Sequence, residues 1–333
     1  MTQTQPGKQI LKWGILSTAR IKRAVIPPIK SSPRHELVAI ASRSLPQAEA
    51  AAREWGIPKS YGSYEALLAD PHIDIIYNPL PNSLHAEWTI KACQAGKHVL
   101  CEKPLALTLA EVDAISAAAG QAGVLVAEAF MYRHHPQTRM VREMVQAGEI
   151  GQLRLVRGAF SFNISNPNDV RLSADLGGGS IWDVGCYPIS FARYVIGQEP
   201  LEVFGWQQPG PGGVDETFAG QMRFAGDVFV QFDSSFRAPQ RSFMEFIGSK
   251  GVLHVPVPFK PDKRESLLLE VGENIKKIPV KGQELYLGEV DDMAAVILEG
   301  KAPAISLAES RNNIAVILAL LASARENRPV SLS

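Results

Sequence analysis

Lys103 follows the apolar run His98–Cys101, and Asp183 and Tyr187 stand four residues apart behind the glycine run Gly177–Gly179. An ammonium, a carboxylate and a phenol suit the oxidation of an alcohol or the reduction of a carbonyl. Hydride leaving an alcohol needs a base for the hydroxyl proton, and the reverse needs an acid for the forming alkoxide. Tyr187 is the candidate proton donor and acceptor. A free phenol titrates near about 10, too high for an efficient base at neutral pH, and a nearby ammonium lowers that value. Lys103 could supply that charge and polarise the substrate oxygen. On one helix Asp183 and Tyr187 would share a face, so Asp183 could bind a substrate hydroxyl and hold Lys103. Pro188 has no N–H to donate, so the helix is expected to kink there or to start late enough for Pro188 to fall in its first turn. Each residue alone also admits a structural role: Lys103 as a surface residue, Asp183 as a first-turn acid, Tyr187 as core packing.

A cofactor would do the hydride chemistry, and the protein would supply position and proton. The first apolar run ends in Gly14-Ile-Leu16-Ser17-Thr18-Ala19-Arg20-Ile21. Gly14 and Ala19 fit the glycine fingerprint between a strand and a helix, but Leu16 replaces its second glycine, which weakens the motif. Ser17 and Thr18 add hydroxyl donors beside a helix N-terminus that favours an anion. The end of the second strand reads Ser42-Arg43-Ser44. An NAD reader carries an acid there for the ribose 2′-hydroxyl, whereas an Arg fork and a hydroxyl suit a 2′-phosphate. The expected cofactor is therefore NADP, with NAD the lesser alternative.

The elements that must position these groups change character near residue 130. Ile10–Leu16, Leu37–Ala41, Ile73–Asn78, His98–Cys101 and Val124–Ala127 read as buried strands. Helical spacing lies between them at Ala48–Trp55 and Leu84–Ala95, with a Thr108/Glu111 capping box opening another helix. This predicts an α/β Rossmann domain with a doubly wound parallel sheet over residues 1–130. Pro27 and Pro28 should end or kink its first crossover helix near Ile26. Strand-like segments with hairpin signals (Ala225-Gly226-Asp227, Gly248–Gly251) dominate after residue 150. Residues 131–333 are thus expected to form an α+β domain with an open-faced, mostly antiparallel sheet for substrate binding and oligomerisation. An uncovered apolar face would be buried in a homodimer or homotetramer.

Two segments carry a family likeness: Asn78-Pro79-Leu80-Pro-Asn82-Ser-Leu-His85 with Glu102-Lys103-Pro104, and Gly177–Gly179 followed by Trp182-Asp183 and Tyr187. Together they resemble the glucose–fructose oxidoreductase/inositol dehydrogenase/MocA family over nearly the whole chain. The resemblance implies that Lys103 is the catalytic lysine and that Pro104 is a cis-proline aiming it. It also implies that Pro79, Leu80, Asn82, His85 and Glu102 contact the cofactor. Tyr187, where many members carry His, resembles the subgroup of glucose–fructose oxidoreductase, dimeric dihydrodiol dehydrogenase, NADP-xylose dehydrogenase and certain nucleotide-sugar ketoreductases. An NADP(H)-dependent sugar dehydrogenase or ketosugar reductase follows. A dihydrodiol or other alcohol dehydrogenase, and a non-catalytic dinucleotide or sugar sensor, are the alternatives.

Other residues carry weaker signals. Arg133 is expected to face cofactor or substrate, and Phe162, Arg171 and Trp182 to line a sugar pocket. His134-His135 lacks the spacing of a metal site. The balance of 34 basic and 34 acidic residues gives no nucleic-acid stripe. The polar segment Met1–Gln9 has no signal-peptide character and no apolar run reaches membrane length. Three scattered cysteines, Cys93, Cys101 and Cys186, form no disulfide framework, so a cytoplasmic location is expected.

Overall fold

The computed structural model describes residues 10–332; the reading of Met1–Gln9 falls outside them. The first unit begins β1 (Leu11–Leu16), α1 (Lys22–Ser31), β2 (His35–Ala41), α2 (Leu45–Trp55), β3 (Lys59–Tyr61), α3 (Tyr64–Leu68), β4 (Ile75–Asn78), α4 (His85–Gln94), β5 (His98–Glu102), α5 (Leu109–Ala122) and β6 (Val126–Ala129). The six strands pair in parallel in the order β3-β2-β1-β4-β5-β6. This is the doubly wound order whose direction reverses between β1 and β4, the point where such sheets bind ligands beyond strand C-termini.

The second unit begins at Tyr132. It continues with α6 (Pro136–Gln146), β7 (Leu153–Ser161), α7 (Cys186–Ile196), β8 (Glu202–Pro209), β9 (Asp215–Phe224), β10 (Val228–Ser235), β11 (Arg241–Gly248), β12 (Val252–Val255), β13 (Arg264–Val271) and β14 (Asn274–Lys281). Then come α8 (Leu287–Glu299), α9 (Leu307–Glu326) and β15 (Val330–Ser331). The nine-stranded sheet runs β14-β13-β12-β11-β7-β10-β9-β8-β15. Only β7 and β10 pair in parallel; the other pairs are antiparallel. Strict alternation sets its two faces. Phe218, Met222, Phe224, Val230 and Phe232 are buried, whereas Gln221, Arg223, Phe229 and Gln231 point outward and are exposed.

Two expectations need correction. The first crossover helix, expected to end or kink near Ile26, does not end there: α1 runs through Pro27 and Pro28 to Ser31. The prolines forfeit hydrogen bonds, but Val25, Ile26 and Ile29 are fully buried against Trp13, Ile15 and Ile40, so packing overrides propensity. The division of the chain is also not one cut after residue 130. Residues Tyr286–Ser310 belong with the first unit. Val290, Met293 and Ala294 of α8 complete the core that α1 faces, and Arg34 pairs with Glu299 at 2.6 Å.

The same core sets an acid sensitivity. Trp13 Nε1 donates to His35 Nδ1 at 2.9 Å, so the proton of the neutral ring sits on Nε2. Burial lowers the His35 pKa from 6.5 to about 4. Between those values the unfolded chain binds a proton that folded His35 refuses, so stability falls as pH drops from 6.5 towards 4. The loss for this residue is on the order of 3 kcal/mol. Burial lowers His134 to about 3, which acts in the same direction. Denaturant midpoints at pH 7 and pH 4.5 should therefore separate more for the wild type than for His35→Gln; equal separations would acquit His35.

Candidate active site

The turn after β1 shows how this chain manages without the second glycine. Leu16 ends the strand fully buried, and the left-handed residue is Ser17 at φ 78°. Ser17 Oγ accepts the Ala19 N–H at 3.1 Å, a local bond that helps hold the turn. A Cβ on Gly14 would sit 3.0 Å from Leu67 and 3.1 Å from Ile73, so that glycine serves packing rather than approach to a phosphate. The first turn of α1 has no acidic residue and its N-cap makes no side-chain bond, which suits an anion.

Ser17, Thr18 and Ala19 line a cavity of about 540 Å³ together with Ser42, Arg43, Ser44, Gln47 and Tyr64. Five of these were expected. Ser44, Gln47 and Tyr64 were missed, although the hydroxyl after Arg43 was visible in the sequence. Ser42 Oγ bonds Gln47 Oε1 at 3.4 Å and accepts the Ser44 N–H at 3.3 Å, so the second strand's end and α2 form one wall. No carboxylate lines the cavity. A guanidinium, four hydroxyl-bearing side chains plus a tyrosine, and a helix N-terminus form a donor set that fits the 2′-phosphate end of NADP. Leu16 and Gly14 lie beneath this surface, Ile21 packs against the core, and Arg20 is exposed.

The other expected residues of this unit gather beyond β4 and β5. Pro79 and Leu80 follow β4, Asn82 opens a 3₁₀ turn to Leu84, Glu102 ends β5, and Lys103 stands on the turn just after it. The Lys103–Pro104 bond is cis. The Tyr77 hydroxyl donates to Glu102 Oε1. His85, expected to touch cofactor, is instead 1% exposed, with both ring nitrogens 2.7 Å from backbone carbonyls.

In the second unit, the segment carrying Asp183 and Tyr187 is built from a cap upward. Gly179 takes φ 124°, and any Cβ there would strike Asp215 Oδ1 at 2.4 Å. Asp215 Oδ2 accepts from Ser180 Oγ at 2.6 Å and from the Ile181 N–H at 2.8 Å. Burial pushes the Asp215 carboxyl up to about 6. The segment Ile181–Gly185 is a π turn and α7 starts only at Cys186. Pro188 therefore falls in the first turn, the second of the two expected outcomes. Asp183 lies on the wide turn, not on the same α-helix as Tyr187, a local geometry often found at functional sites. Gly158 of β7 admits this helix: a Cβ there would lie 2.4 Å from Met244 Sδ and 3.1 Å from Pro188.

Tyr187 is 4% exposed. Its ring centroid lies 5.6 Å from Tyr132, 5.5 Å from Phe160 and 5.4 Å from Phe259, a packing that fixes where the hydroxyl points. Asp183 Oδ2 accepts from Arg171 Nε at 2.9 Å, and Arg171 also pairs with Asp169 at 3.2 Å. Arg171 lies over Phe162, with 6.0 Å to the ring centroid. Phe162, Arg171 and Asp183 thus come together as expected. Trp182 does not join them as an open wall; it is buried. Arg133 is also buried, its guanidinium 3.9 Å from the Tyr194 ring centroid and 3.3 Å from Ser190 Oγ. Cation–π stacking helps hold it in place. His135 caps α6 by accepting the Gln137 N–H at 3.2 Å.

A parallel sheet in this order with a donor-lined cavity at its carboxyl edge is the arrangement of a dinucleotide-binding domain. Residues 11–130 match the oxidoreductase family with an NAD-binding Rossmann fold, and residues 138–254 match the GFO/IDH/MocA C-terminal domain. The chain belongs to this glucose–fructose oxidoreductase/inositol dehydrogenase/MocA family. It is similar to D-xylose 1-dehydrogenase (NADP⁺) 2 of Haloferax volcanii, at 37% identity over 97% of this chain and 100% of the relative. Among solved structures it is similar to a 3-ketoreductase from Actinomadura kijaniata in complex with NADP and TDP-benzene (28% identity, TM-score 0.91, covering 95% and 98% of the two chains). An aldose–aldose oxidoreductase from Caulobacter crescentus complexed with glycerol matches at 27% identity and a TM-score of 0.90, covering 97% and 100%.

Proposed function

We propose that this protein transfers hydride between NADP(H) and a hydroxyl or carbonyl carbon of a sugar. The observation that carries the reading is the cavity lined by Arg43 and hydroxyls with no carboxylate. When bound, the nicotinamide supplies or accepts the hydride. The protein's own part is position and proton. Tyr187 gives or takes the substrate proton at its phenolic oxygen. Lys103 polarises the substrate oxygen with its ammonium. Asp183 offers its carboxylate to a substrate hydroxyl. Arg171 is spent on Asp169 and Asp183, which favours a neutral sugar over an anionic one at this position. The similar proteins named as a xylose dehydrogenase and an aldose–aldose oxidoreductase support the same reading. Absorbance of NADPH across a panel of neutral aldoses, ketoses and polyols tests it. Turnover on several pentoses or hexoses is expected, and tight NADPH binding with no turnover on any panel member would revive the sensor alternative.

The outer face of the nine-stranded sheet is read as a subunit interface. Trp206 and Phe229 are exposed there, and Phe204 packs edge-on against Trp206 at 4.3 Å. A row of polar side chains crosses the same sheet, where Arg157 pairs with Glu245 and His254 lies between Glu245 and Glu270. An apolar patch bordered by both signs of charge suits a second copy. Sedimentation should show a dimer or tetramer that Trp206→Glu with Phe229→Glu dissociates; a monomeric wild type would refute this. The three cysteines are buried, and no helix among the described residues is long and apolar enough to cross a membrane. The enzyme is accordingly read as cytoplasmic, which fractionation against a periplasmic marker would check.

A further inference from the structure

Lys103 sits on a turn, and a turn needs external support to hold a side chain to a fraction of an ångström. Two buried polar residues grip the two positions that follow it. The imidazole of His85, on α4, places Nδ1 2.7 Å from the Pro104 carbonyl oxygen and Nε2 2.7 Å from the Leu80 carbonyl oxygen. It therefore spans the loop after β4 and the loop after β5. Glu128, on β6 and 2% exposed, accepts the Leu105 N–H on Oε1 at 2.9 Å. His85 is itself anchored. Asn78 Nδ2 donates to the His85 carbonyl oxygen and to Thr89 Oγ1, both at 3.2 Å, and Asn78 Oδ1 accepts the Leu80 N–H at 3.3 Å. Three consecutive strand ends, β4, β5 and β6, are thus tied through one network with Pro104 and Leu105 at its centre.

We infer that His85 and Glu128 are positioning residues for Lys103, a clamp that fixes the lysine turn against both neighbouring strand ends. Burial favours the neutral His85 ring, which can donate only one of its two bonds at a time. Burial likewise raises the Glu128 pKa, and a glutamine there keeps an oxygen that can accept the Leu105 N–H. The inference rests on Lys103 being catalytic, and the experiment separates the two ideas.

Glu128→Ala, Glu128→Gln, His85→Ala and Lys103→Ala are compared in turnover and, without cofactor, in amide hydrogen exchange of the peptide spanning Glu102–Ala106. Loss of the clamp should speed exchange of that peptide at least about tenfold in Glu128→Ala and His85→Ala, because the Leu105 N–H or its carbonyl neighbour is released. Their kcat should fall by about 10²-fold, the scale of a 1 Å misplacement, with KM for NADP little changed. Glu128→Gln should restore both readouts to near wild type. Melting curves check that each variant folds, and His85→Leu, which fills the same space without a donor, replaces His85→Ala if the latter does not. Unchanged exchange in both alanine variants, or a Glu128→Gln enzyme as slow as Glu128→Ala, overturns the clamp. Full turnover in Lys103→Ala sinks instead the catalytic role of the lysine, and the exchange data then stand alone as the test of the clamp.

Discussion

Lys103→Ala and Tyr187→Phe are each expected to lower kcat by about 10²–10⁴-fold, the usual worth of a positioned proton-transfer group. The fold should survive both changes. Tyr187→Phe removes one oxygen and keeps the ring among Tyr132, Phe160 and Phe259, so the packing that places α7 is retained. Lys103 is half-buried just after β5, and truncating it leaves the strand pairing intact. Lys103→Arg should not rescue, because a planar, permanently charged fork does not replace a compact ammonium. Steady-state rates from NADPH absorbance, with circular dichroism for the fold, check this. Unchanged turnover in both variants would remove the proposed chemistry altogether.

Arg43→Asp should reverse the cofactor preference. The substitution deletes charge-assisted bonds worth about 1.5–3 kcal/mol and sets a carboxylate against a dianionic phosphate. The same carboxylate can accept the ribose 2′-hydroxyl of NAD. The ratio of kcat/KM for NADP over NAD should drop by on the order of 10²–10³-fold, since each 1.4 kcal/mol is tenfold. Ser42, Ser44 and Gln47 remain on the wall, so residual NADP binding is expected rather than none. A ratio that does not move would mean that Arg43 is merely solvated and that the cavity does not read the phosphate.

Local signals in this chain were read well where the local chemistry is complete. Thr108 and Glu111 form the capping box, Gly56 takes the left-handed cap, and Gly226-Asp227 turns with both φ angles positive. The last strand of the first sheet lies two residues later than its apolar run, because Val124 is used to close α5 through a bond from its N–H to Ala119. β14 escaped notice for a physical reason as well. It is an edge strand, and its Lys276, Lys277 and Pro279 are what an edge needs to refuse further pairing. The candidate site divides in the same way. Lys103, Asp183 and Tyr187 were legible through the Glu102-Lys103-Pro104 and Gly177–Tyr187 segments, and Arg43 through its place at the end of the second strand. Gln47 and Tyr64 were not, because their roles depend on α2 and α3 folding back beside the β2 end, which no spacing encodes. His85 was visible through its motif, but its bridge between the Leu80 and Pro104 carbonyls was not, because those loops meet only in the folded sheet.

The return of α8 to the first unit has a consequence for synthesis on the ribosome. The core around Trp13, Ile15 and Ile26 is closed by Val290, Met293 and Ala294, more than 250 positions downstream. A nascent chain that has emerged only to residue 131 lacks that cover, so its N-terminal sheet waits with apolar surface in water until nearly the whole protein has been made. A stalled or nonsense-truncated product ending between Met131 and Tyr286 is consequently a client for chaperones and proteases rather than a small free-standing nucleotide binder.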